Sequence, residues 1–131
     1  MNNDKPRSIL YIEDDSEMIE LVSMILNRRG FLVKGAHSGT EGLAYLKTSS
    51  PELILLDLMM PDMDGWEVYH KLKSDPYLNQ IPVIIITAKA QPIDRVLGVH
   101  IAKVDDYISK PFHPQDLINS IDKLINNRTT V

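Results

Sequence analysis

Four short apolar runs in this chain each end in side chains able to do chemistry. The run Ser8 to Ile12 exits into Glu13, Asp14 and Asp15. Glu52 onward ends at Asp57, Ile81 to Ile86 ends at Thr87, and Asp106 to Ser109 ends at Lys110. If these runs are parallel strands of one sheet, their carboxyl ends share a rim however far apart they lie in sequence. That rim then holds at least three carboxylates, a hydroxyl and an ammonium. Carboxylates at close range repel, which raises a pKa or destabilises the fold unless a cation offsets it. All-oxygen donors favour magnesium or calcium. A site with few carboxylates, leaving coordination positions for water and a phosphoryl oxygen, is the usual magnesium arrangement.

Each residue also has an ordinary explanation. Asp14, Asp15 or Ser16 can cap a following helix. Asp57 can be a solvated loop acid, Thr87 a strand terminator and Lys110 a surface charge. The weight lies in their conjunction, since four separate strand exits carry compatible chemistry.

The elements that must position these groups alternate along the chain. Apolar runs are followed by helix-period segments five times, the signature of a parallel sheet covered by helices on both faces. The first helix places Met18, Ile19, Val22, Ile25 and Leu26 on one stripe and stops at Gly30. A second strand, Phe31 to Ala36, precedes a helix opened by Ser38 with Glu41 three positions on, a capping-box spacing. Asp64 and Glu67 open the third helix, which carries Val68, Tyr69 and Leu72. Ile81 to Ile86 is the most apolar strand and is expected to be central. A fourth helix is expected over Pro92 to Ile101, and Pro114 starts the last, with Leu117, Ile118, Ile121, Leu124 and Ile125 inward. The expected fold is α/β, a flavodoxin-like doubly wound (βα)5 three-layer sandwich with parallel sheet order 2-1-3-4-5. Its crevice lies at the ends of strands one and three, where the winding direction reverses.

The chain has 131 residues, 44% of them hydrophobic. That is enough for one core and too few for two ordinary domains. The expected division is an extended or disordered segment over 1–7, a domain over 8–126 and a polar tail over 127–131. A net charge of −4 sets up no field that attracts a phosphate backbone, so direct nucleic-acid contact is not expected. The lack of cysteine removes disulfides, thiolate metal sites and cysteine nucleophiles. No apolar run approaches the roughly 20 residues of a membrane span, and the start, Met1 to Arg7, is polar. A cytoplasmic protein without membrane contact is the expectation.

ILYIEDD at 9–15, LILLDLMMPDMDG at 53–65, IIITA at 84–88 and DDYISKPF at 105–112 together resemble the receiver domains of two-component response regulators, members of the CheY-like superfamily. The resemblance runs from about Ser8 to Ile125, nearly the whole chain. It implies a phosphoprotein switch in which Asp57 is the phosphoacceptor and Glu13 and Asp14 are the acidic pair for Mg2+, with the backbone carbonyl of Met59 completing the protein ligands. Thr87 and Lys110 would contact phosphoryl oxygens, and Tyr107 would be the aromatic whose rotamer reports the switch. Asp15 receives no metal role. The resemblance further implies a cis Lys110–Pro111 bond that aims Lys110 over the crevice. Self-phosphorylation from a phosphodonor and autodephosphorylation would be its only catalysis. The implied partners are a histidine kinase or histidine phosphotransfer protein, then an effector protein or an effector domain outside this sequence. Signalling would act through a face built from the fourth helix, fifth strand and last helix, with a phosphorylation-dependent dimer left open.

Two departures stand out. Lys103 and Val104 occupy places where the family usually has Gly-Ala, and the Thr87 to Lys110 segment is one residue longer than typical. A non-glycine residue in a left-handed cap costs about 1 kcal/mol, which predicts strain at Lys103 or a rebuilt loop. Met59 and Lys89 occupy positions that tune dephosphorylation in the family.

Other functions fit less well. A haloacid-dehalogenase-type phosphatase resembles this chemistry but carries its Asp-x-Asp nucleophile on the first strand. A flavin site needs a Ser/Thr/Gly-rich first loop, which Glu13 to Asp15 would oppose. A partner-binding module that is never phosphorylated would not need Asp57, Asp14 and Lys110 intact. Asp62, Asp64 and Gly65 superficially suggest a calcium loop, but its first and last ligand positions would be Met60 and Lys71. His37, His70, His100 and His113 show no paired metal spacing and are expected at the surface. Trp66, Met59 and Met60 are expected to pack around the third loop.

Overall fold

A computed structural model describes residues 7–88, 91, 94 and 96–129, with the side chains at 98, 100 and 126–129 outside that description. Five strands form one parallel sheet: β1 (Arg7–Ile12), β2 (Phe31–Ala36), β3 (Leu53–Leu56), β4 (Val83–Thr87) and β5 (Asp106–Ser109), in order β2-β1-β3-β4-β5. This is the flavodoxin-like order expected from the sequence. The middle strand is β3, and the very apolar β4 lies one place off centre, between β3 and β5, still buried throughout.

Period-two alternation sorts the strand residues into two apolar layers. Leu10 and Ile12 of β1 face a cluster with Ile54, Leu56, Val68 and Leu72, beneath α2 (Gly39–Tyr45) and α3 (Gly65–Ser74). Ile9 and Tyr11 face the opposite cluster, with Val22 and Leu26 of α1 (Ser16–Asn27) and Leu117 and Ile121 of α4 (Pro114–Thr129). Burial on both sides explains why β3 and β4 read as unbroken apolar runs.

Capping fixes where the helices begin. Asp15 accepts from Glu17 N and Met18 N, so the third acid of its run caps α1. Ser38 Oγ accepts from Glu41 N, while Glu41 Oε1 accepts from His37 N, one residue ahead of the usual box partner. Gly30, at φ 88, takes the left-handed conformation after α1. The terminal helix runs to Thr129, into the stretch expected as a polar tail. Arg7 already belongs to β1, and residues 1–6 lie outside the described residues.

In the fourth helical segment Asp94 and Val96 are helical and the segment closes at Ile101, as expected, but its last turn is of π type. Pro92, Ile93 and Arg95 lie outside the described residues, and Leu97–Ile101 forms a π-turn, here π1, in which Ala102 N donates to Leu97 O at 2.8 Å. An i+5 bond encloses one more residue than an α-helical bond does. The Tyr69 hydroxyl donates to Ala102 O at 2.9 Å and satisfies one carbonyl at the end of this turn. Lys103 follows at φ 63, the left-handed region. Lys103→Gly should therefore raise stability by about 1 kcal/mol, read as a higher urea midpoint at an unchanged m-value. A lower midpoint would mean that the backbone there is not strained.

Candidate functional site

The strand ladder continues one residue past each strand end, and that continuation builds the rim. Glu13 N donates to Ala36 O at 2.9 Å, Asp57 N to Ile12 O at 3.1 Å, and Lys110 N to Thr87 O at 2.8 Å. Register rather than sequence proximity thus brings Glu13, Asp57, Thr87 and Lys110 together. The Lys110–Pro111 bond is cis.

Carboxylate oxygens of Glu13, Asp14 and Asp57 lie within 4.8 Å of one another. Glu13 and Asp57 are almost fully buried, at 1% and 3% exposure, whereas Asp14 faces solvent. Lys110 Nζ bridges the buried pair, 2.5 Å from Glu13 Oε1 and 3.1 Å from Asp57 Oδ2. Met59 N donates to Asp57 Oδ1 at 3.1 Å. Burial pushes the Glu13 carboxyl upward and the Asp57 charge adds to this, while the bond from Lys110 opposes it. Burial works against the Lys110 ammonium, but the two carboxylates outweigh it and raise its pKa. An all-oxygen, acid-rich crevice of this kind could bind a hard metal ion.

Thr87 and Tyr107 are buried on neighbouring strands, with Ile85 opposite Tyr107 and Thr87 opposite Ser109. Burial, then the charges of Asp94 and Asp57, push the Tyr107 phenol up to about 12.

Met59 corrects an expectation. Its side chain is 57% exposed, because alternation past β3 turns Leu58 inward and residue 59 outward. Met60 and Trp66 do pack against the α2–α3 side. His37, His70 and His113 are exposed, as expected, while the side chain of His100 and all of Lys89 lie outside the description.

Three supporting residues escaped the sequence reading. Asp62 accepts from Gly39 N (3.2 Å), Thr40 N (3.2 Å) and Thr40 Oγ1 (3.1 Å), so the loop after Asp57 is tied to the start of α2. Slight burial opposes ionisation of Asp62, yet these donors hold its carboxyl below the usual value. At Gly65, an added Cβ would lie 2.5 Å from both Asp57 O and Leu58 Cα, so α3 starts directly against the backbone of Asp57. Tyr11, fully buried, donates from its hydroxyl to Glu13 Oε1 at 3.0 Å. Burial, then the Glu13 charge, raises its pKa, which keeps it a neutral donor. A hydroxyl in an apolar strand two residues before an acid was the available signal, since i and i+2 share a face.

Residues 9–122 match the family described as the response regulator receiver domain. The chain is 37% identical over 119 residues to the transcriptional regulatory protein GltR of Pseudomonas aeruginosa, covering 91% of this chain and 49% of that one. With the DNA-binding response regulator MtrA of Mycobacterium tuberculosis it shares 37% identity over 110 residues, covering 84% and 46%. Among solved structures, a CheY-like response regulator receiver domain protein of Methanospirillum hungatei superposes with a TM-score of 0.85 at 29% identity, covering 95% of this chain and 98% of that one. Parallel order 2-1-3-4-5, an acidic rim at the switch point and this match identify the chain as a member of the response-regulator receiver domains of two-component systems. It spans about half the length of the curated relatives it matches.

Two outcomes test this framework. Gly65→Ala should cost about 1–3 kcal/mol because both contacting atoms are backbone and cannot move aside cheaply, and an unchanged denaturation midpoint would contradict the contact. The folded-state pKa of Asp62 is depressed, so its stabilisation is present above the unfolded carboxylate pKa and is lost as pH falls through the folded value. Asp62→Asn should thus be less stable than wild type near neutrality, and the gap should close in acid. A gap independent of pH in parallel melts would show that the charge contributes nothing.

Proposed function

We propose that this chain is a phosphorylation switch in which Asp57 accepts a phosphoryl group from a histidine kinase or histidine phosphotransfer protein. The observation carrying this reading is Asp57 itself, buried at a strand end between the Lys110 ammonium and the acids Glu13 and Asp14. An Asp57 carboxylate oxygen attacks phosphorus in line with the leaving imidazole nitrogen. The O–P bond forms, the P–N bond breaks, and its electron pair stays on the imidazole, which takes up a proton. Lys110 needs only a small displacement from Asp57 Oδ2 to meet the equatorial phosphoryl oxygens, and the Thr87 hydroxyl donates to another. Attack by water on the acyl phosphate later resets the switch.

The donor set fits Mg2+, since every candidate ligand is oxygen: the carboxylates of Glu13, Asp14 and Asp57 and the carbonyl of Met59. When bound, the ion supplies neutralisation of phosphoryl charge, the main help a protein can offer this reaction. Capture of a phosphoryl oxygen by Thr87 opens space into which the already buried Tyr107 ring shifts by a change of rotamer, altering the face built from π1, β5 and α4. That face then signals to an effector protein or to an effector domain beyond these residues, with dimerisation on phosphorylation one route. We place the protein in the cytoplasm together with the kinase or phosphotransfer partner proposed above; among the described residues no helix is long and apolar enough to cross a membrane. DNA binding by relatives such as MtrA is a property of those longer proteins, and this domain is not assigned it.

Incubation with acetyl phosphate and Mg2+ should add one phosphoryl group in intact-mass spectra. Asp57→Asn should abolish the addition, and Lys110→Ala should slow it by about 100-fold. Phosphorylation should also move amide NMR shifts on the β5 and α4 face. A wild-type protein that stays unmodified would leave a partner-binding module as the better description, and unchanged shifts in a modified protein would exclude the output route.

A further inference from the structure

We propose that Tyr11 is a positioning residue for the metal site, its hydroxyl holding the Glu13 carboxylate in place when Lys110 moves away. The inference rests on the metal site proposed above. Glu13 receives three hydrogen bonds: from Tyr11 Oη and Lys110 Nζ on Oε1, and from Asp15 N on Oε2. They are unequal in permanence. Lys110 is shared with Asp57 and belongs to the far side of the sheet in sequence, so any anion received at Asp57 draws it away. Tyr11 and Asp15 N lie two residues either side of Glu13 on the same chain, and no event at Asp57 separates them from it.

Tyr11 has little other use for its oxygen. The ring fills the apolar layer with Ile9, Leu55 and Leu117, a space that an apolar side chain would also fill. Glutamate has one more rotatable bond than aspartate, so a buried Glu13 has an extra torsion to fix. Groups that orient ligands in this way typically account for 10–100-fold in metal affinity.

Mg2+ affinity should be measured by NMR titration for wild type, Tyr11→Phe, Glu13→Asp and the double variant, with thermal melts to check folding. Tyr11→Phe should weaken binding about 10-fold. An aspartate at 13 ends roughly an ångström or more short of the hydroxyl and loses the bond, so in that background Tyr11→Phe should change the affinity by less than about twofold. Equal weakening in both backgrounds would show a merely structural hydroxyl, and no weakening in either would also overturn the proposal. A wild type that binds no Mg2+ would overturn the metal site itself, and with it this role. If Tyr11→Phe fails to fold, Tyr11→Leu serves in the same cycle.

Discussion

Glu13 and Asp57 are withdrawn almost wholly from water and share a single ammonium, and the rest of the architecture answers to that arrangement. Removing a carboxylate from water costs several kcal/mol even after the protein relaxes around it. A bridge to Lys110 offsets part of this only if three strand ends arrive in fixed relative positions. The bonds from Glu13, Asp57 and Lys110 to the last residues of β2, β1 and β4 supply that fixity. A slip of one residue in any strand would turn its site residue to the other face and expose its apolar layer. The two apolar layers and the charged rim are therefore consequences of one register.

Much of this was legible in the sequence because the chemistry sits at strand exits. Periodicity locates strands, strands of a parallel sheet share a rim, and the types of residue at that rim then limit the possibilities. The face of each inward helix residue was equally readable, as Leu117, Ile121 and Ile125 of α4 show. Tertiary choice among equivalent donors and acceptors was not readable. Asp14 and Asp15 are identical in type and adjacent. One joins the acidic cluster and the other caps α1, a division set by where the chain turns after β1. Asp62 is a loop acid whose partners on α2 lie more than twenty residues away, and no local pattern encodes that. Met59 failed as a packing residue because hydrophobicity alone does not say on which side of a loop a residue emerges.

The segment between β4 and β5 shows how an irregular turn can be accommodated without reaching the site. An extra residue within β5 would shift its register and carry Lys110 off the rim. The irregularity is confined to π1, an i+5 turn, after which Lys103 reverses the backbone in a left-handed conformation. By Val104 the chain is buried again, Asp105 N donates to Val83 O at 3.0 Å, and β5 pairs with β4 from Ile84↔Asp106 to Thr87↔Ser109. Lys110 accordingly arrives at the rim with its N–H on Thr87 O. The cost falls on the surface, where Val96, Leu97 and Ile101 stand 45%, 47% and 69% exposed beside the same turn. Because the Tyr69 hydroxyl holds Ala102 O from α3, that surface is tied to the helix that starts against Asp57, through Gly65. The irregular turn thus leaves the charged site intact while shaping the face that lies next to it.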